Sequence, residues 1–214
     1  MSMNTKLSTA KALLDIGAVG FSPDAPIAFK SGIRSPVYVD NRALIYHPTA
    51  WHVIVEGFRF LTEAADFDFD IIAGVAVGGV PHSSALAYIT RKPSVFVRKD
   101  SKAHGKGQRI EGGDVRQKRV LLVEDLITTG GSSLSAVDAL RDAGARVTDV
   151  LAIISYGFSA AADAFDSAGL ELRTLTDFDT VLTQAHERGV LDGERIALVL
   201  RWLADPYNWE VKTI

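Results

Sequence analysis

The segment "RVLLV" at residues 119–123 is apolar at four consecutive positions with no alternation, so as a strand it must be covered on both faces. It stands within a repeating order. "DIIAGVAV" (70–77) reads as a strand, "PHSSALAYITR" as a helix and "SVFVR" (94–98) as a strand. After "RVLLV", "SSLSAVDALRDAG" places Leu134, Val137 and Leu140 on one helical face and stops at Gly144, and "VTDVLAIIS" is the next strand. Strands alternating with helices of this length predict an α/β fold, a central, mostly parallel sheet flanked by helices. Ahead of it, Leu7, Ala10, Leu13 and Leu14 fall at helical spacing up to Gly17, and Pro48 opens a helix with Trp51, Ile54, Val55, Phe58 and Leu61 on one face. Val37 to Val39 resemble a short strand. "ELRTL", "FDTVLTQAHERG" and "GERIALVLRWLADP" continue in mixed style, and Trp202 and Trp209 are expected to pack a helix against the domain or a partner. At 214 residues, with no repeat, low-complexity tract or interdomain linker, one domain over 1–214 is expected.

Within this order, "VLLVEDLITTGGSS" (120–133) ends an apolar strand in two adjacent carboxylates, Glu124 and Asp125, and then runs into hydroxyls and a glycine pair. Ligands of parallel sheets sit beyond the carboxyl ends of the strands. Backbone N–H groups of "TTGGSS", the Thr128, Thr129 and Ser132 hydroxyls, Gly130, Gly131 and the start of the next helix can surround a phosphate. Carboxylates repel phosphate but accept hydrogen bonds from the vicinal hydroxyls of a ribose. A ribose 5-phosphate group satisfies both halves. A Walker loop is excluded because no lysine follows the glycines, and G-x-G-x-x-G is absent. A plain strand-to-helix turn with Ser132 as N-cap leaves the acidic pair unexplained.

Composition narrows the partners. The net charge is -3, from 23 basic and 26 acidic residues, which gives no global attraction for nucleic acid or an anionic membrane. There is no cysteine, so disulfides and thiolate metal sites are excluded. No apolar run approaches membrane-spanning length and the N-terminus is too polar for a signal peptide, which makes the cytoplasm the expected compartment. His47, His52, His82 and His186 are too scattered to form a metal site. Against the acidic balance, "RKDSKAHGKG" gathers Arg98, Lys99, Lys102, His104 and Lys106 on one polar segment rich in glycine. It reads as a mobile cationic lid over an anionic leaving group, or as a solvated basic loop.

"VLLVEDLITTGGSS" resembles the phosphoribosyl pyrophosphate signature of type I phosphoribosyltransferases, and "AFKSGIRSPVYVDNR" with "VRKDSKAHGKGQRIEG" resembles the orotate phosphoribosyltransferases in particular. The resemblance implies the type I phosphoribosyltransferase fold, with a small N-terminal hood (about 1–45) contributing to the base site, a core over about 46–214, and the mobile loop. It implies transfer of ribose 5-phosphate from phosphoribosyl pyrophosphate to orotate, giving orotidine 5'-monophosphate and pyrophosphate on the route to UMP. Mg2+ is expected on the substrate, with no direct protein ligand. The implied site has Arg98, Lys99, Lys102, His104, Glu124, Asp125 and Thr128 to Ser132 on the donor, and Lys30, Tyr38 and Thr128 on the base. Lys102, His104 and Asp125 take the catalytic roles. A homodimer with the lid acting in trans is also implied, with no nucleic acid and no membrane. Asp40 and Arg42 are expected to form a supporting ion pair. "GVAVGGVPHSSA" (74–85) is similar to the family's pyrophosphate loop, with backbone N–H groups at Gly78 and Gly79 for the anion. Two departures stand out: Gly78 replaces a lysine, and Tyr156 and Gly157 stand where familiar members place an orotate-binding arginine. A purine phosphoribosyltransferase, or an RNA-binding nucleotide sensor on the same fold, remain the alternatives.

Overall fold

The computed structural model describes residues 3–28, 32–64, 67–100 and 109–209. In chain order the elements are α1 (Met3–Asp15), β1 (Val19–Phe21), β2 (Ile27–Ala28), β3 (Arg34–Ser35), β4 (Val37–Val39), a 3-10 helix (Asn41–Tyr46) and α2 (Pro48–Ala64). Then come β5 (Ile71–Val75), α3 (Gly79–Thr90), β6 (Ser94–Val97), β7 (Ile110–Glu111), β8 (Val120–Ile127) and α4 (Gly131–Asp142). The chain continues with β9 (Asp149–Ser155), α5 (Ser159–Ser167), β10 (Glu171–Asp177), α6 (Phe178–Glu187) and α7 (Gly193–Ala204).

Six strands form one sheet in the order β10-β9-β8-β5-β6-β7, parallel throughout except for the antiparallel β6–β7 pair. Strand side chains alternate between two cores. Ile72, Leu121, Val123, Leu151 and Ile153 join the core that includes Leu13, Phe58, Leu86, Val181 and Trp202 from the helices α1, α2, α3, α6 and α7. Ile71, Ala73, Leu122, Val150 and Ala152 join the other, with Val137, Leu140 and Phe165 from α4 and α5. The unbroken apolar strand therefore has the two-sided cover that its pattern demands.

The order of strands reverses at β5. The chain moves outward from β5 to β6, then crosses back to lay β8 on the other side of β5. This switch point opens a crevice between the carboxyl ends of β5 and β8, where ligands of open α/β sheets bind. The N-terminal region adds two small antiparallel pairings, β1 with β4 and β2 with β3, and the 3-10 helix. Asn41 in that helix is buried, and its Nδ2 donates to the Asp125 carbonyl at 2.7 Å, which ties this region to the end of β8.

Three features differ from the sequence pattern. β8 runs on to Ile127, so the acidic pair lies within the strand, because Glu124, Leu126 and Ile127 keep pairing with β9 through Ala152, Ile154 and Ser155. β7 is too short to carry a periodic signal, and α5 is a nine-residue helix hidden in alanine and aspartate. Trp202 is fully buried, as a packing role requires.

His82 on α3 is also fully buried. Its Nδ1 accepts from the Trp51 indole N–H at 3.1 Å, which assigns the ring proton to Nε2. Burial pushes its pKa down to about 4, against the opposing pull of the Asp125 charge. Unfolded, the same imidazole titrates at its ordinary value of 6.5. Between these values the unfolded chain binds a proton that the folded chain refuses, so stability is lost as pH falls from 6.5 towards 4, by about 3 kcal/mol in all. Urea denaturation across that window should therefore show a shallower acid decline in His82→Gln than in the parent. Comparing the two slopes cancels Glu124, whose raised pKa acts in the opposite direction; equal slopes would contradict the assignment.

Candidate active site

The crevice at the switch point is a cleft of ≈ 680 Å3. Its walls are the loop after β5 (Val75 to Gly78), the end of β8 with its following loop (Glu124 to Ser133), the N-terminal residues Ile27, Ala28 and Tyr38 to Asp40 with Arg42, and Tyr156. Glu124, Asp125, Thr128, Thr129, Gly130, Gly131, Ser132 and Tyr38 thus meet in one cavity. Arg98 and Lys99 line a smaller cavity that shares Val75, Ala76, Gly131 and Ser132 with it. Lys30, Lys102, His104 and Lys106, and with them the segment expected to form the lid, lie outside the described residues.

The phosphate half of the site is built by one turn. Gly130 has φ +80°, in the left-handed region, and a Cβ there would stand 2.7 Å from the Phe165 ring, so only glycine fits as the chain bends into α4. Gly130 also replaces the hydroxyl N-cap: α4 begins at Gly131 with no side-chain cap, leaving its first N–H groups for a ligand. Gly131 and Ser132 are exposed at this opening.

The two carboxylates have different surroundings. Glu124 is 6% exposed and its Oε1 accepts from the Asp125 backbone N–H at 3.1 Å. Burial, together with the neighbouring Asp125 carboxylate, raises the Glu124 pKa well above the ordinary value. The raised pKa favours the protonated carboxyl, which donates as well as accepts. Asp125 lies partly open to the cleft, with its carbonyl held by Asn41.

Across the crevice, Gly78 faces the Asp125 side chain so closely that a Cβ at position 78 would fall 2.4 Å from its carboxyl carbon. Any side chain at this position, lysine included, would have to displace the Asp125 carboxyl. Gly79 approaches the β8 backbone in the same way, with a Cβ position 2.4 Å from the Val123 carbonyl oxygen. The Ala76–Val77 peptide bond in this loop is cis.

At the far end, Tyr156 is held by aromatic neighbours. Its ring stacks on Phe158 and Phe178 at 5.4 and 4.9 Å between centroids, with Trp202 edge-on at 5.3 Å. Burial raises the pKa of its phenol, which stays neutral at physiological pH. Tyr38 is 41% exposed in the cleft, and its hydroxyl accepts from Arg42 Nη2 at 3.4 Å. Arg42 is also paired with Asp40 at 2.6 Å, and this bond holds the Asp40 carboxyl below its usual range. The expected ion pair exists, but both residues line the cleft as well. Asn41 escaped sequence reasoning, since a buried asparagine in "VDNR" carries no periodic signal.

Residues 48–167 match the phosphoribosyl transferase domain family. The chain is 40% identical to the orotate phosphoribosyltransferase of Coxiella burnetii over 208 residues, 97% of this chain and all of that protein. The crystal structure of orotate phosphoribosyltransferase from Aeropyrum pernix aligns with a TM-score of 0.71 at 29% identity, covering 86% of this chain and 99% of the other. The Mycobacterium tuberculosis enzyme in complex with 5-phospho-α-D-ribosyl 1-diphosphate aligns with a TM-score of 0.63 at 30% identity, over 83% and 98% of the two chains. Together with a crevice that pairs a phosphate turn with two carboxylates, these likenesses establish that the chain belongs to the orotate phosphoribosyltransferases of the phosphoribosyl transferase domain family.

Proposed function

We propose that the cleft transfers ribose 5-phosphate from phosphoribosyl pyrophosphate to orotate, giving orotidine 5'-monophosphate and pyrophosphate in pyrimidine biosynthesis. The observation that carries this reading is the meeting of opposite preferences in one cavity: a glycine turn at a helix start beside the Glu124–Asp125 pair. The 5'-phosphate sits on Thr128 to Ser132, and the ribose hydroxyls donate to Asp125 and exchange hydrogen bonds with Glu124. Diphosphate lies towards the backbone of Val75 to Gly79, with Arg98 and Lys99 alongside. Lys102 and His104 complete the cationic surround. The N-terminal hood region, about residues 1–45, supplies the base end through Lys30 and Tyr38, together with Thr128, and Tyr156 stands in the place of an arginine.

In the reaction the bond from the anomeric carbon to diphosphate breaks, the electron pair leaves with pyrophosphate, and a bond to the orotate nitrogen forms. Orotate is presented with that nitrogen deprotonated or gives its proton to Asp125. The protein contributes position and charge stabilisation more than covalent chemistry.

Mg2+ fits this site as an ion carried by the donor. Among the described residues no three carboxylates or imidazoles converge, whereas magnesium is ordinarily held by one or two carboxylates plus substrate phosphates. Bound there, it neutralises diphosphate charge. The reading implies a cytoplasmic homodimer with the segment carrying Lys102 and His104 reaching the partner's site. No described helix is long and apolar enough to cross a membrane.

Pyrophosphate release from phosphoribosyl pyrophosphate with magnesium tests this, with orotate, uracil, adenine, hypoxanthine and xanthine offered in parallel. Turnover is expected with orotate alone. Turnover with a purine would reassign the base, and RNA binding without turnover with any base would make the protein a sensor.

A further inference from the structure

The smaller cavity beside the cleft, ≈ 220 Å3, lies between β6, the loop after β5 and the first turn of α4. Arg98, Lys99 and Arg109 all line it. Arg109 is the first described residue after the segment 101–108 and stands out by its bonding. Its Nε donates to the Arg98 carbonyl at 2.9 Å and its Nη1 to the Ser135 carbonyl, on α4, at 3.0 Å. The Arg98 backbone N–H donates back to the Arg109 carbonyl at 2.8 Å. One guanidinium thus spans two elements that both border the anion end of the site, the exit of β6 and the helix that follows the phosphate turn.

The charge itself is not consumed. Among the described residues Arg109 makes no ion pair, whereas Arg98 approaches Glu111 at 3.6 Å. Both partners of Arg109 are backbone carbonyls of fixed position, and their separation suits a planar fork with donors at its base and its tip. An ammonium on a flexible stem carries the same charge but has no such pair of donors. Nearby, the loop after β5 has glycine at 78 and brings no side-chain cation, so among the described residues the cationic contacts to diphosphate depend on where the β6 exit is held.

We propose that Arg109 is a positioning residue for phosphoribosyl pyrophosphate: its fork clamps the exit of β6 to α4 and so holds Arg98 and Lys99 at the diphosphate end of the cleft. This rests on the reading of the cleft as a phosphoribosyl pyrophosphate site. Shape, rather than charge, is the contribution, which separates two variants that simple electrostatics would treat differently.

Steady-state kinetics on the full-length protein, Arg109→Lys and Arg109→Met provide the test. Both substitutions are expected to raise KM for phosphoribosyl pyrophosphate by roughly tenfold, with the orotate KM within about twofold and kcat changed less than KM. Thermal midpoints should stay near the parent's, since the bond to Ser135 is exposed and the bond to Arg98 only partly buried. A lysine variant with the parent's KM would overturn the proposal in favour of charge alone. Losses in every constant that follow a lowered thermal midpoint would overturn it in favour of plain stability. Calorimetric binding of magnesium pyrophosphate, which needs no turnover, separates this idea from the functional reading. If the parent binds pyrophosphate but turns over no base, and Arg109→Lys binds about tenfold more weakly, the clamp stands and the assigned reaction falls. If the parent turns over orotate and the lysine variant matches it in both assays, the reaction stands and the clamp falls. No binding and no turnover by the parent would remove both.

Discussion

Gly79→Ala is expected to lower the stability of the folded chain by roughly 3 kcal/mol or more, a fall of about 10 °C in the thermal midpoint for a chain of this size. The added methyl group would stand 2.4 Å from the Val123 carbonyl oxygen and 3.1 Å from the Glu124 Cα, and both belong to the backbone of the central strand β8. A side chain in the way can rotate, but a strand paired on both sides cannot yield. Helix α3 must therefore lift from β8, pulling Leu86 out of the core it helps to fill. Differential scanning calorimetry measures this directly. A midpoint within a degree or two of the parent's would show that α3 is not seated as tightly as the close approach implies.

Gly78→Ala should do the opposite, sparing the fold and damaging the chemistry. Here the methyl group meets the carboxyl group of Asp125, with its carbon and both oxygens between 2.4 and 2.5 Å away. That carboxyl can swing aside at little cost to stability, but only by leaving the place from which it meets the ribose. A displacement of about an ångström at a positioning group costs on the order of a hundredfold, and kcat/KM for phosphoribosyl pyrophosphate should fall by roughly that factor. The thermal midpoint should move by only a few degrees. Full activity in this variant would mean that the Asp125 carboxylate has no required position. Side by side, the two adjacent glycines separate what the loop does for the sheet from what it leaves open for the substrate.

Much of this could be read from the residues, for physical reasons. "RVLLV" had to be a two-sided strand because four consecutive apolar positions offered no solvent face, and the glycine turn after Thr129 had to be tight because the next helix starts at once. The acidic pair raised the question of a diol from chemistry alone. What escaped the pattern was set by partners distant in sequence. That β8 continues through Glu124 and Asp125 depends on β9 lying alongside, and periodicity within the segment cannot show it. Asn41 and Arg109 matter through bonds to the carbonyls of Asp125, Arg98 and Ser135, which have no sequence signature. The glycine at 78 in place of the loop lysine is visible in the sequence, but that the Asp125 carboxyl stands beside it belongs to the three-dimensional arrangement.

The switch point between β5 and β8 also bears on the order in which the molecule can acquire its activity. β8, β9 and β10 follow one another along the chain and pair as neighbours, so that half of the sheet can zip up locally. The β5–β8 seam closes only when a segment from before β6 is brought back beside one from after it, a longer loop to close. Until then the phosphate turn faces no opposing wall. A nascent or partly refolded chain with β8 to β10 in place holds half a receptor, and the substrate, by gripping both sides, acts as a staple across the last seam to form.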